Sequence, residues 1–229
     1  MTQKPKIFCA IDTPDLNQAK SLAKSISGTG CGIKLGLEFF NAFGPQGVHE
    51  IKKIIGDTKL FLDLKYHDIP NTVASAIKAI SNIGADYLNV HASGGLEMMK
   101  AAKAACASET KLLAVTVLTS LDDSNLTAVG QSVPAADQVE RLARLTQSAG
   151  LDGVVCSAHE ISRLRAACGP DFVLMVPGIR PAGADAGDQK RIMTPEEAMK
   201  AGATHLVIGR PITGATDPAA AANDILRTI

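Results

Sequence analysis

The chain has 229 residues, of which 46% are hydrophobic, and its formal net charge is +0. That length buries the core of one large domain, and the charge balance speaks against a nucleic-acid polyanion or a membrane surface as partner. No apolar run approaches the roughly 20 residues that span a bilayer, and the one in "MTQKPKIFCAID" is too short for a signal peptide, so a soluble cytoplasmic location is expected.

In chain order, short β-branched or apolar runs predict strands at 6–11, 31–35, 60–64, 86–90, 112–117, 152–155, 172–176 and 205–208. Segments with a 3.6-residue apolar period lie between them, among them "DLNQAKSLAKSI", "NTVASAIKAISNIG", "AADQVERLARLTQSAG" and "AAAANDILRTI". Asp137 opens an amphipathic run and Pro195 follows Thr194 at a helix start, while Gly84, Gly150 and Gly202 mark C-terminal stops. Strands that alternate with helices pair in parallel through right-handed crossovers. Eight such units in this length suit a (β/α)8 TIM barrel better than the alternative, a doubly wound sheet. No linker, low-complexity tract or composition shift divides the chain, so a single domain over 1–229 is expected.

Two features are set aside. The five cysteines, Cys9, Cys31, Cys106, Cys156 and Cys168, are odd in number and contain no C-x-x-C pair, so they indicate neither a disulfide framework nor a zinc site. Cys9, Cys31 and Cys156 fall in or beside strands and read as reduced core residues. "GTGCGI", Gly28 to Ile33, resembles a dinucleotide glycine loop but precedes a strand; the fingerprint needs strand, then glycines, then helix. It reads as a helix stop and a turn.

Function in a barrel collects at the C-terminal ends of the strands. Those ends carry Asp12, then Lys34, then Asp63, Lys65 and Asp68 in "FLDLKYHDIPNT", then His91, Thr119, Arg180, and finally Gly209 and Arg210. Period two puts Asp63 and Lys65 on one face of their strand. Pointing inward, they would meet Lys34 and Asp12 across the barrel mouth. Alternating carboxylates and ammoniums keep each other ionised, whereas a buried Lys without such partners loses its proton. The pattern therefore preserves a charged ammonium as a proton donor; a purely structural ion-pair network is the plainer alternative. A second group of residues suits phosphate. "VPGIRPAGADAGDQKR" is long, rich in small residues, and carries Arg180 and Gln189, which suits a lid over 181–191. "VIGRPIT" follows, with Gly209 and Arg210 ahead of a Pro suited to a first helical turn. Backbone N–H groups there and the guanidinium make an anion site.

"FLDLKYHDIPNT", together with "VTVLTS", the "PGIRP" and "GDQ" segments and "IGRPIT", closely resembles the bacterial orotidine 5'-phosphate decarboxylase family, and the resemblance extends to "AID" and "IKLG" near the start. It implies decarboxylation of orotidine 5'-phosphate to UMP by a homodimer with shared sites, without cofactor or metal. By position, Asp12 and Lys34 resemble the ribose-contacting and charge-network pair, and Asp63 and Lys65 the carboxylate and ammonium at the reacting carbon. Asp68, Ile69 and Thr72 resemble the part that reaches the neighbouring subunit's site. Thr119 matches the hydroxyl that contacts the pyrimidine, and Arg180, Gln189, Gly209 and Arg210 match the phosphate and lid contacts. Tyr66 and His67 read as packing or supporting residues, and a role for His91 near the site is left open. Two rivals remain: a metal-dependent sugar-phosphate decarboxylase or aldolase sharing D-x-K-x-x-D, and a catalytically silent phosphate-binding barrel.

Overall fold

The computed structural model describes residues 5–131, 134–181 and 193–229. The chain runs β1 (Ile7–Ile11), α1 (Leu16–Ser27), β2 (Gly32–Leu35), α2 (Leu37–Ile55), β3 (Leu60–Tyr66), α3 (Pro70–Ala79), β4 (Tyr87–His91) and α4 (Gly95–Ala105). It continues through β5 (Lys111–Val115), α5 (Asp123–Ala128), α6 (Ala135–Ser148), β6 (Gly153–Val155), α7 (Ile161–Cys168), β7 (Val173–Val176), α8 (Pro195–Ala201), β8 (His205–Ile208), α9 (Arg210–Thr213) and α10 (Pro218–Leu226). Each strand pairs in parallel with the next, and β8 closes on β1. The expected TIM barrel is borne out, and no helix among the described residues is long and apolar enough to cross a membrane.

Local chemistry accounts for the element ends. Asp15 caps α1 by accepting from the Asn17 and Gln18 amides, and Thr194 and Glu197 form a reciprocal capping box on α8. The glycine run after α1 is the expected helix stop, with Gly28 at the C-cap. The amphipathic run expected from Asp137 begins two residues earlier, at Ala135, with extended Pro134 as the N-cap and Asp137 in the first turn, where its charge suits the helix dipole. In α2, Gly44 (φ 58°) and Pro45 break the regular backbone and bend the helix around the barrel.

Two apolar layers hold the barrel. The outward faces of the strands and the inner faces of the helices form one continuous core, which includes Ile7, Ile33, Leu62, Leu112 and Leu206. A second cluster fills the barrel interior: Phe8, Phe61, Tyr87, Leu113, Val173, Met175 and Val207. Phe8 meets Phe61 and Tyr87 edge-on, at 6.1 and 5.3 Å between ring centres. Such pairs contribute about 0.5–1.5 kcal/mol each beyond simple burial. Beneath them buried His205 ties the barrel floor to the chain's start. Its Nδ1 lies 2.7 Å from the Pro5 carbonyl and its Nε2 2.9 Å from the Tyr87 hydroxyl. A carbonyl only accepts, so Nδ1 carries the proton and the tyrosine donates to Nε2. Below the strands Pro5, Lys6, Cys31, Lys59, Leu226 and Ile229 border a cavity of about 550 Å³. The interior plug closes the N-terminal end and leaves the opposite mouth for polar groups.

Candidate active site

At that mouth Asp63 lies between two ammoniums. Its Oδ2 is 3.1 Å from Lys34 Nζ on β2, and its Oδ1 is 2.7 Å from Lys65 Nζ on β3. Asn89 of β4 donates a further hydrogen bond to Oδ1 at 2.7 Å. Burial alone would push this carboxyl up, but Lys34, Lys65 and the hydrogen bonds from Lys65 and Asn89 outweigh it and hold the group at about 2. Asp63 is therefore a carboxylate at neutral pH, and the two cations face a fixed counter-charge.

The backbone beneath these side chains is irregular. Among the described residues Lys65 is the sole non-glycine with positive φ, at 52°. Strand β3 pairs Leu62 with Leu88 and Tyr66 with Val90, so four residues of β3 advance where β4 advances two. The extra residues form a bulge that lifts Lys65 out of the regular ladder. Its amide is satisfied by Asn89 Oδ1 at 2.8 Å.

Lys34, Asp63 and Lys65 open onto a cavity of about 230 Å³ whose other walls are mostly apolar, with Val115, Val117, Pro177 and Val207 among them. Thr119 lies on its edge. Low-dielectric walls strengthen the field of a fixed ammonium, and the cavity suits a planar ring with one polar edge.

Asp12 approaches from β1. Its Oδ1 accepts from the Phe39 amide at 3.0 Å, capping α2, whose N-cap residue is Gly36 and has no side chain to do so. A Cβ on Gly36 would fall 2.3 Å from Asp12 Oδ2 and 2.9 Å from Lys34 Nζ, so any larger residue would push these two charged ends out of their positions. An adjoining cavity of about 330 Å³ is lined by Asp12, Gln18, Glu38 and Arg210. Gly209 and Arg210 open the single-turn helix α9.

The expected inward set of Asp63, Lys65, Lys34 and Asp12 thus converges on one rim, with Thr119 and Arg210 in its two cavities. Buried Arg180 donates to the Ile179 carbonyl at 3.0 Å. Asp68, Ile69 and Thr72 stand apart, exposed at the start of α3, with Asp68 accepting from the Ile69 amide at 2.7 Å. Gln189 and nearly all of the expected 181–191 lid lie outside the described residues. Tyr66 packs against the main core. The His91 ring stands 5.6 Å from that of His67, and burial, then nearby His67 and Lys65, pull its pKa down against the opposing pull of Asp63. Sequence reasoning passed over Asn89 and Gly36; a lone polar residue at an inward position of "YLNVH" was the available signal for the first. Among the described residues no cluster of three or more His, Cys, Asp or Glu gathers as metal ligands.

Residues 5–225 match the Orotidine 5'-phosphate decarboxylase / HUMPS family. The chain is 52% identical over 233 residues to an orotidine 5'-phosphate decarboxylase of Shewanella sediminis, covering 100% of this chain and 98% of that one. It is 54% identical over 230 residues to that of Rhodospirillum rubrum, covering 97% and 92%. The crystal structure of orotidine 5'-phosphate decarboxylase from Lactobacillus acidophilus superposes with a TM-score of 0.85 at 36% identity, covering 99% of each chain. An uncharacterized conserved protein from Geobacillus kaustophilus gives 0.83 at 34% identity, covering 97% of this chain and 99% of that one. With the family match reaching from the first described strand into the last helix, and relatives more than half identical along nearly their whole length, this chain belongs to the orotidine 5'-phosphate decarboxylase / HUMPS family.

Proposed function

We propose that the chain, as one domain over 1–229, decarboxylates orotidine 5'-phosphate to UMP, with Lys65 as the proton donor in an Asp–Lys charge network. The observation that carries this is Asp63 between two ammoniums at the edge of an apolar cavity. In the reaction the bond from C6 to the carboxylate breaks, CO2 departs and the electron pair stays on C6. Lys65 stabilises that charge and transfers a proton to C6, then regains one from water. Asp63 keeps the cation in place and Lys34 balances the carboxylate. A substrate carboxylate brought to about 4 Å from Asp63 would be repelled by roughly 4 kcal/mol at an effective dielectric of 20.

Thr119 reads the pyrimidine edge, Asp12 and Lys34 the ribose, and Arg180, Gln189, Gly209 and Arg210 the phosphate. Holding the remote phosphate supplies binding energy that orders the reacting end. Asp68, Ile69 and Thr72 reach the site of a second subunit in a cytoplasmic homodimer. Ile69 is 66% exposed at the start of α3, as expected of a side chain that an isologous partner covers. With no net positive charge to attract a polyanion or an anionic surface, nucleic acid and membrane are not proposed as partners.

Following the ultraviolet absorbance of orotidine 5'-phosphate with purified, exhaustively chelated protein tests the reading. Turnover is expected to survive chelation. Activity lost to EDTA and restored by Mg²⁺, or turnover confined to a sugar phosphate, would favour the metal-dependent branch instead.

A further inference from the structure

We infer that Asn89 is the positioning residue that fixes Lys65 relative to Asp63, one amide holding both the strained backbone of the donor and its counter-charge. The inference rests on the reading of Lys65 as proton donor. Three observations meet at this side chain. Asn89 is fully buried, Lys65 occupies left-handed backbone, and the ladder between β3 and β4 is interrupted over the intervening residues.

A lysine at φ 52° sits where L-residues are crowded by their own Cβ, and it stays there only if the surroundings over-determine it. In a regular strand its amide would face β2, as the Lys59 carbonyl does in accepting from Ile33, while that of Leu60 faces β4. The bulge turns it towards β4 instead, where the Asn89 Oδ1 atom accepts from it at 2.8 Å. The same amide group donates from Nδ2 to Asp63 Oδ1 at 2.7 Å. These partners also fix the amide orientation, because a backbone N–H only donates and a carboxylate only accepts. Asp63 Oδ1 is the atom that holds Lys65 Nζ at 2.7 Å. Asn89, the Lys65 amide, the Lys65 ammonium and Asp63 thus form a closed ring of contacts. Turning the Asn89 amide over would set its NH2 against the Lys65 N–H and its oxygen against the carboxylate.

Only a side chain with one donor and one acceptor at this spacing closes the ring. Leucine would leave the Lys65 N–H unsatisfied, and an ionised aspartate would face Asp63 with a second negative charge. Neither change touches the proposed ribose or phosphate contacts. Their effect should therefore fall on the chemical step.

The experiment compares wild type, Asn89→Ala and Asn89→Asp for kcat on orotidine 5'-phosphate, for UMP affinity by calorimetry, and for folding by circular dichroism. Asn89→Ala should lose roughly 10²-fold in kcat, the scale of a misplacement of about 1 Å, with UMP affinity unchanged. Asn89→Asp should be impaired at pH 8 and recover as pH falls towards 5. Protonation there gives back one donor and one acceptor, and this rescue of kcat should come with UMP affinity and circular dichroism unchanged across the range, both of which a merely structural lesion would move. Folded Asn89→Ala with wild-type kcat, or a parallel loss of kcat and UMP affinity, would overturn the inference. If the alanine variant does not fold, Asn89→Asp decides alone: a pH dependence of kcat matching wild type overturns it. Wild-type protein without decarboxylase activity would defeat the reading of the reaction, whereas an active wild type with unimpaired variants defeats only the role of Asn89.

Discussion

Replacing Asp63 with Asn removes the counter-charge of two lysines without changing the shape of the side chain. At an effective dielectric of 20 the lost attractions are roughly 5 kcal/mol to Lys34 at 3.1 Å and roughly 6 kcal/mol to Lys65 at 2.7 Å. Much of this is offset in the native protein by the cost of desolvating the charges, and breaking one partner of a buried pair costs about 3–5 kcal/mol in practice. For a chain of this length that lowers Tm by roughly 6–20 °C at fixed protein concentration. The acid side gives the sharper test. Asp63 is held at about 2 against an ordinary 3.8, so the unfolded chain takes up this proton before the folded one. The folded state therefore gains about 2 kcal/mol that is present above pH ~4 and lost as pH falls towards ~2, with roughly half gone at pH ~3. The asparagine amide of the variant cannot titrate, so the stability gap between wild type and variant should narrow by about 1 kcal/mol between pH 6 and pH 3. Urea unfolding of both proteins at matched pH values measures the gap, and the other carboxylates cancel in the difference. A gap that stays constant over that range would refute the assignment of the depressed carboxyl to Asp63.

Lys65→Ala should lose at least ~10²–10³ in kcat while still binding UMP, since the phosphate contacts remain; near-normal turnover by ultraviolet assay would remove Lys65 from the reaction. Arg210→Ala should weaken UMP far more than uridine in calorimetric titration, and equal losses would put the phosphate elsewhere. In re-associated mixtures of Lys65→Ala and Asp68→Ala subunits, half the dimers are mixed and each carries one intact shared site, so activity should return to about a quarter of wild type. If subunit exchange is verified by light scattering and no activity returns, Asp68 serves its own subunit.

The barrel is legible because its signal is repetitive: every strand run alternates with a helical period, and where a strand's C-terminal end departs from expectation it does so by only one or two residues. The fifth strand, expected to reach 117, stops at Val115, although Thr116 still gives its amide and hydroxyl to the Val155 carbonyl. The third runs on to Tyr66, past its expected end, because pairing resumes beyond the bulge. Period two correctly puts Asp63 and Lys65 on one face, since an offset of two between β3 and β4 preserves side-chain parity. What the sequence hides are relations between distant residues. Asn89 matters through a backbone irregularity 24 positions away, and Gly36 through the two charged groups that close over it. Neither effect has a local period or composition to reveal it. The family resemblance implies a sugar-contacting role for Asp12, and its bond to Phe39, 27 positions on, adds the capping of α2.

The cavity beneath the barrel has Pro5 and Ile229 among its borders, so the two ends of the described chain lie near one another on the face opposite the charged mouth. Neighbouring termini favour circular permutation. A short Gly-Ser bridge could join them while new ends are cut into an exposed connection such as that after α4, leaving the contacts of Lys34, Asp63, Lys65 and Asn89 in their original sequence neighbourhoods. The same geometry fixes how the molecule presents itself to a solid support. Tethered through its C-terminus, every subunit would turn its open end outward, and the orientation of an immobilised layer would be written into the fold.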